Sequence, residues 1–95
     1  MPTLVTKPLF ALGKLLITPG ALGLFSTPPY EASQFIDRHL AGDWGDLEEV
    51  DIDANNYAYQ NGLRLFSIYH LKDKSIYVIT EADRSVTTIL LPSEY

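Results

Sequence analysis

Cysteine is missing from all 95 residues, which removes disulfides and thiolate metal ligands from consideration at the outset. Basic residues are scarce: seven Lys and Arg stand against twelve Asp and Glu, a formal net charge of −5. A nucleic-acid-binding surface needs a clustered basic footprint, and these cations are scattered, so no direct nucleic-acid contact is expected. No apolar run reaches the roughly 18–20 residues that cross a bilayer, and no membrane partner is expected. The nearest run, Leu9 to Phe25, is interrupted by Lys14, Thr18 and Pro19. It also lacks a basic start and a small-residue cleavage site. It therefore reads as neither span nor signal peptide, and the cytoplasm is the default compartment. Catalytic signatures are missing too: there is no GxSxG, P-loop, GxGxxG or HExxH.

What is present fills a core. Hydrophobic residues make up 46% of the chain and aromatics 12%, which suits one domain spanning residues 1–95. The stretch Leu63–Leu91 contains three runs, Leu63–Leu71, Ser75–Glu81 and Val86–Leu91, rich in the branched and aromatic residues that fit a pleated surface. Short polar connections, Lys72-Asp73-Lys74 and Ala82-Asp83-Arg84-Ser85, predict an antiparallel three-stranded meander. In the middle run Ile76, Val78 and Thr80 face one way and Tyr77, Ile79 and Glu81 the other, so both faces are apolar. That run is expected to be central, with one face covered and the other partly so.

The preceding residues read as material folded against this sheet. Residues 1–9 are a frayed end or an edge strand, and Phe10–Ile17 reads as a strand. Thr18-Pro19 starts a short helix over 19–25, with Thr18 as the N-cap and Pro19 where a missing N–H costs nothing. A second helix follows Thr27-Pro28-Pro29, with Ala32, Phe35, Ile36 and Leu40 inward and Gly42 as its C′ residue. A third begins at Asp46, with Glu49 as its capping-box partner, and ends at Asn61-Gly62. Its stripe Leu47, Val50, Ala54, Tyr57, Ala58 and Asn61 is expected to lie on the sheet. The fold class is therefore α+β: a three-stranded meander, with an N-terminal strand in addition, packed against two or three helices. Leu65, Ile68, Tyr77, Val78, Ile79, Ile89 and Leu90 are expected in the core.

Candidate chemistry is thin. His39 and His70 have no second histidine at ligand spacing, and zinc needs three or four converging donors; no metal and no cofactor is expected. One constellation would support a small hydrolase: His39 paired with Glu81 or Asp83 as acid and base, with Asp43 and Arg84 beside them. The simpler reading makes Asp83 and Ser85 turn formers that bond their own backbone and pairs Arg84 with Glu81 or Asp83 across the turn. Trp44 reads first as a core anchor between helix and sheet, and second as an exposed binding residue.

The acidic residues Asp43, Asp46, Glu48, Glu49, Asp51 and Asp53 fall in one window with no Lys or Arg among them. Asp46, Glu48 and Glu49 complement the helix dipole, whereas Asp51 and Asp53 lie past the first turn and gain little from it. Beyond a solvated face, the sharper expectation is that Glu48, Asp51 and Asp53, with Trp44, meet a protein partner and imitate the charge of nucleic acid in a basic groove.

Four motifs carry a resemblance: TPGA at 18–21, RHLAGDWGDLEE at 38–49, NG-x-RLFS-x-Y at 61–69 and ITEADRSVTTILLPSEY at 79–95. Together they resemble a family of small uncharacterised proteins carried on bacterial plasmids, integrative elements and phages. The resemblance spans about residues 10–95 and implies a mobile-element setting. It adds no catalytic residue. The reading it favours is a non-enzymatic protein-interaction module, an inhibitor of a host defence or nucleic-acid-binding protein. The oligomeric state is left open.

Overall fold

The computed structural model describes residues 8–25 and 28–95. In chain order the elements are β1 (Lys14–Ile17), α1 (Pro19–Leu24), α2 (Pro28–Leu40), α3 (Glu49–Asn61), β2 (Leu65–Leu71), β3 (Lys74–Thr80), β4 (Val86–Leu90) and a closing 3-10 turn (Pro92–Glu94). The meander is present: β3 is antiparallel to both β2 and β4, with Val78 opposite Ser67 on one side and Ile89 on the other. β1 adds to the outer side of β4 in parallel, Leu16 opposite Thr88, giving a mixed sheet of order β1-β4-β3-β2.

That parallel pair corrects the expected strand over Phe10–Ile17. Regular pairing begins only at Lys14, whose N–H donates to Ser85 O at 2.9 Å. Gly13, at φ 67°, passes so close to the Arg84 and Ser85 carbonyls that a Cβ would collide with them. Backbone torsion there ends any extended run from Phe10. Residues 1–7 lie outside the described chain. Residues 8 and 9 are not strand, and Leu9 N–H is bound to Leu40 O at 3.0 Å.

The helix starts follow local chemistry. Thr18 caps α1, its hydroxyl accepting from Ala21 N–H, with Pro19 in the first position. Its other partner is Glu94, which accepts from Thr18 Oγ1 at 2.5 Å and from Gly20 N–H at 2.9 Å, so the chain's end closes over α1. α2 finishes in a Schellman turn: Gly42, at φ 83°, donates to His39 O, and Asp43 N–H donates to Arg38 O at 2.9 Å.

α3 departs from expectation twice. Its N-cap is Glu48, not Asp46. Asp46 is drawn away because Trp44–Asp46 runs along β2: Ile68 N–H donates to Trp44 O at 3.1 Å and Asp46 N–H to Ile68 O at 2.7 Å. The helix face is also turned. Val50 and Tyr57 are 69% and 62% exposed and Asn55 is buried, while Ala58 and Leu47 pack inward as expected. Asn55 selects that face by donating Nδ2 to Phe66 O at 2.6 Å and accepting from Phe66 N–H at 3.3 Å.

The helices cover one sheet face. Ala21, Phe25, Ala32, Phe35 and Ile36 pack on Tyr69, Ile76, Val78 and Ile89, and Trp44 with Ala58 packs on Leu65. Phe35 stacks between Phe25 at 6.1 Å and Tyr69 at 5.3 Å. On the other face Ile79 and Leu90 are buried, whereas Ile68 and Tyr77, expected in the core, are only half-buried. Tyr95 reaches Tyr77 at 6.0 Å from the C-terminal turn.

Candidate functional site

His39 sits on the inward face of α2, three residues after Ile36, and has no solvent exposure. Its Nδ1 lies 2.6 Å from Ser67 Oγ and its Nε2 3.0 Å from Thr80 Oγ1. Thr80 Oγ1 is 2.7 Å from Thr87 Oγ1, and Thr87 donates to Leu12 O at 2.8 Å. That last carbonyl can only accept, which fixes every proton in the chain. Thr87 gives its proton to Leu12 O and so accepts from Thr80. Thr80, having spent its proton, accepts from His39 Nε2–H. His39 Nδ1 is then bare and accepts from Ser67. The imidazole is neutral and held as the Nε2–H tautomer.

Burial opposes a charge on this ring, and the Arg84 cation adds to it, lowering the His39 pKa from 6.5 to about 3. Both ring nitrogens are already engaged by hydroxyls. Among the described residues every buried side-chain polar atom has a partner. A general base needs a free lone pair within reach of substrate, and His39 offers none.

The other residues of the hydrolase reading are spread over separate tasks. Asp43 pairs with Arg38 at 2.7 Å, and that guanidinium, with Gly45 N–H, holds its carboxyl below the usual range. Glu81 faces Arg64 at 3.5 Å. Asp83 accepts from Ser85 N–H at 2.9 Å in an Asx turn, and the Ser85 hydroxyl together with that N–H lowers its pKa. Arg84 is a carbonyl clamp: Nη1 donates to Leu63 O at 2.7 Å, Glu81 O at 3.1 Å and Ala82 O at 3.2 Å, and Nη2 to Ala58 O at 3.2 Å. α3 has no basic residue in its last turn, so Arg84 supplies the cation that its C-terminal carbonyls attract. The simpler reading of Asp83 and Ser85 fits; the partner it gave Arg84 does not.

Trp44 is buried, its indole N–H donating to Asn56 Oδ1 at 2.9 Å and its ring stacked on Phe10 at 6.2 Å. It is a core anchor, which withdraws it from the exposed-contact role. Sequence reasoning missed Ser67, Thr80 and Thr87. Their signal was available in principle: three hydroxyls at inward positions of consecutive strands, where apolar residues would otherwise stand. One further polar chain lies on the surface, with His70 Nε2 2.9 Å from Asp46 Oδ2 and Ser75 Oγ 3.5 Å from His70 Nδ1. It is solvent-exposed and its serine contact is at the limit of a hydrogen bond, so it has the form of a surface pair rather than an activated nucleophile. An open pocket of about 320 Å³ is lined by Leu24, Asp73, Lys74, Ser75, Leu91, Pro92 and Ser93 and includes none of the residues of the hydrolase reading.

The exposed chemistry is on α3. Val50, Ala54, Tyr57 and Asn61 recur at helical spacing along its outward face, and all are exposed. Glu49 and Asp53 border this stripe on one side and Asp51 on the other; with Glu48 they are exposed and make none of the ion pairs among the described residues. Among the described residues no group of three His, Asp or Glu converges to hold a metal, and no helix is long and apolar enough to cross a membrane.

The class defined by this arrangement is a small two-layer α+β domain with a closed polar interior and an acidic, partly apolar outer helix. Comparison with family models, with curated protein sequences and with solved structures yields no match.

Proposed function

We propose that this domain is a non-enzymatic protein-interaction module of bacterial mobile elements, acting in the cytoplasm through the outward face of α3. The carrying observation is that face: Val50 and Tyr57 lie 69% and 62% exposed within a border of carboxylates. An apolar strip flanked by one sign of charge suits a protein surface of the opposite sign, with the apolar residues supplying affinity and the carboxylates speeding the encounter. The partner is a protein with a basic groove, of the kind that nucleic-acid-binding host defence proteins present. The acidic helix occupies that groove in place of phosphates. No observation favours the hydrolase alternative, whose residues His39, Glu81, Asp83 and Arg84 are engaged in structural bonds.

The test compares the wild-type domain with Glu48→Gln/Asp51→Asn/Asp53→Asn, each immobilised and exposed to bacterial extract at low salt. The wild type should retain a nucleic-acid-binding protein that added duplex DNA or raised salt displaces. The triple variant should not, and its thermal midpoint should be little changed, since relief of like charges offsets the loss of the Glu48 charge at the start of α3. A partner held equally by both would reduce the acidic helix to a solvated face. Finding no partner at micromolar protein would remove the interaction reading.

A further inference from the structure

The two edges of the sheet are treated differently. At the β2 edge the outward backbone groups of Phe66 and Ile68 are occupied, those of Phe66 by the Asn55 amide and those of Ile68 by Trp44 and Asp46. At the β1 edge, Lys14 and Thr18 direct their N–H groups inward to Ser85 O and Ile89 O. In a parallel ladder, the alternate residues Leu15 and Ile17 then direct both N–H and C=O away from the sheet. Among the described residues no backbone partner meets them. Leu15 and Leu16 are 40% and 44% exposed there. An apolar edge strand that meets no partner among the described residues is a template for another strand.

We propose that a second copy of this chain occupies that edge, β1 pairing antiparallel with β1 about a two-fold axis through Leu16. The register follows from the outward groups. With Leu16 opposite its own mate, Leu15 meets Ile17 of the second copy as a hydrogen-bonded pair and Ile17 meets Leu15, while Leu16 forms the close, non-hydrogen-bonded pair. Lys14 falls opposite Thr18 and not opposite the other Lys14, so no like charges meet.

Charge placement favours the same occupant. The carboxylates of α3 lie with that helix against β2, at the opposite edge, through Asn55 and Phe66. Two chains of net charge −5 therefore meet at a strand whose one ionisable residue is Lys14, with the Glu94 carboxylate on Thr18 beside it and the acidic helices at the far ends. The contact is a four-residue strand and two leucines from each copy, short of the ~800 Å² per partner of a standard stable interface. The dimer is accordingly weak and concentration-dependent. It does not depend on what binds α3.

Because the chain has no cysteine, single-cysteine variants report the register directly. In a non-hydrogen-bonded antiparallel pair the two Cα atoms are about 4.5 Å apart, inside the range a disulfide spans. Leu16→Cys should form an intermolecular disulfide under mild oxidation at least about tenfold faster than Lys14→Cys or Asp53→Cys, whose sulfurs meet only by collision. Sedimentation of the wild type should move from one chain at about 10 µM towards two at about 1 mM. Leu16→Lys should remain a single chain, and mixing it with Leu16→Glu should restore pairing. A wild type that stays monomeric throughout, or a Leu16→Cys variant no faster than Asp53→Cys, would overturn the proposal, leaving the edge to a different strand or to solvent.

Discussion

α2 and α3 are each thirteen residues long and each carries apolar residues at helical spacing, yet they use them in opposite ways. α2 turns Ala32, Phe35 and Ile36 onto the sheet and tucks His39 beneath them. α3 turns Val50 and Tyr57 to solvent and faces inward with Asn55 and Ala58, while Ile52 and Tyr59 pack half-buried against the cluster of Trp44, Ala58 and Leu65. Periodicity shows that a helix has faces; it does not say which face meets the sheet. At α3 the two backbone-directed hydrogen bonds from Asn55, with Ala58, Ile52 and Tyr59 packed inward, outweigh the burial of Val50 and Tyr57. What is left outside is the surface a partner would meet.

The contrast breaks first at α2. Phe35 lies between Phe25 and Tyr69 in the main core cluster, so Phe35→Ala should cost about 3–5 kcal/mol. Chemical denaturation measures this, and a loss below ~1 kcal/mol would mean that α2 does not anchor the sheet.

His39 gives the next effect, and pH reveals it. The folded chain keeps the ring neutral down to about pH 3, while the unfolded chain takes up a proton near pH 6.5. Between those values the unfolded state binds the extra proton, so stability is full above pH 6.5 and falls as the solution is acidified. At ~1.4 kcal/mol per pH unit the loss attributable to His39 reaches about 2 kcal/mol by pH 5. His39→Gln should be less stable at pH 7.5 and lack this component of the slope. Parallel pH profiles for the two proteins would show that the ring is not held neutral.

Much of the fold is legible in the sequence wherever the signal is local. Thr18-Pro19, Gly42, Gly62 and the turns at 72–74 and 82–85 each specify a backbone shape through one or two residues. The alternation through Ile76–Glu81 identifies the central strand and its two apolar faces. What is not legible depends on distant partners. β1 finds β4 from the opposite end of the chain, and no pattern within Lys14–Ile17 names that neighbour. The capture of Trp44–Asp46 by β2 moves the start of α3 from Asp46 to Glu48. His39 looks available for chemistry in the sequence because its three hydroxyl companions come from three different strands.

Asn55 tests whether a polar contact selected the face of α3. Asn55→Ala removes both bonds to Phe66 at an edge that water can partly reach, so it should cost roughly 1–2 kcal/mol. It also unblocks the second sheet edge, and light scattering on warming should show earlier aggregation than in the wild type. An unchanged midpoint would assign the orientation of α3 to Ala58 and its neighbours instead.

The smallest expected effect on stability is the most informative about function. Val50→Thr/Tyr57→Ser changes two residues that are mostly in solvent, and exposed substitutions of this kind stay within about 0.5 kcal/mol. If the outward stripe were held against the rest of the fold, the double change would instead lower stability by several times that amount. A stable double variant would have its core, its acidic residues and its net charge intact. It therefore separates the two contributions to a protein contact. Losing the stripe should speed dissociation and leave the salt dependence of association in place, whereas neutralising Glu48, Asp51 and Asp53 should slow association and flatten that dependence. If losing the stripe changes neither association nor dissociation, the apolar residues contribute nothing to the complex, and α3 acts through its charge.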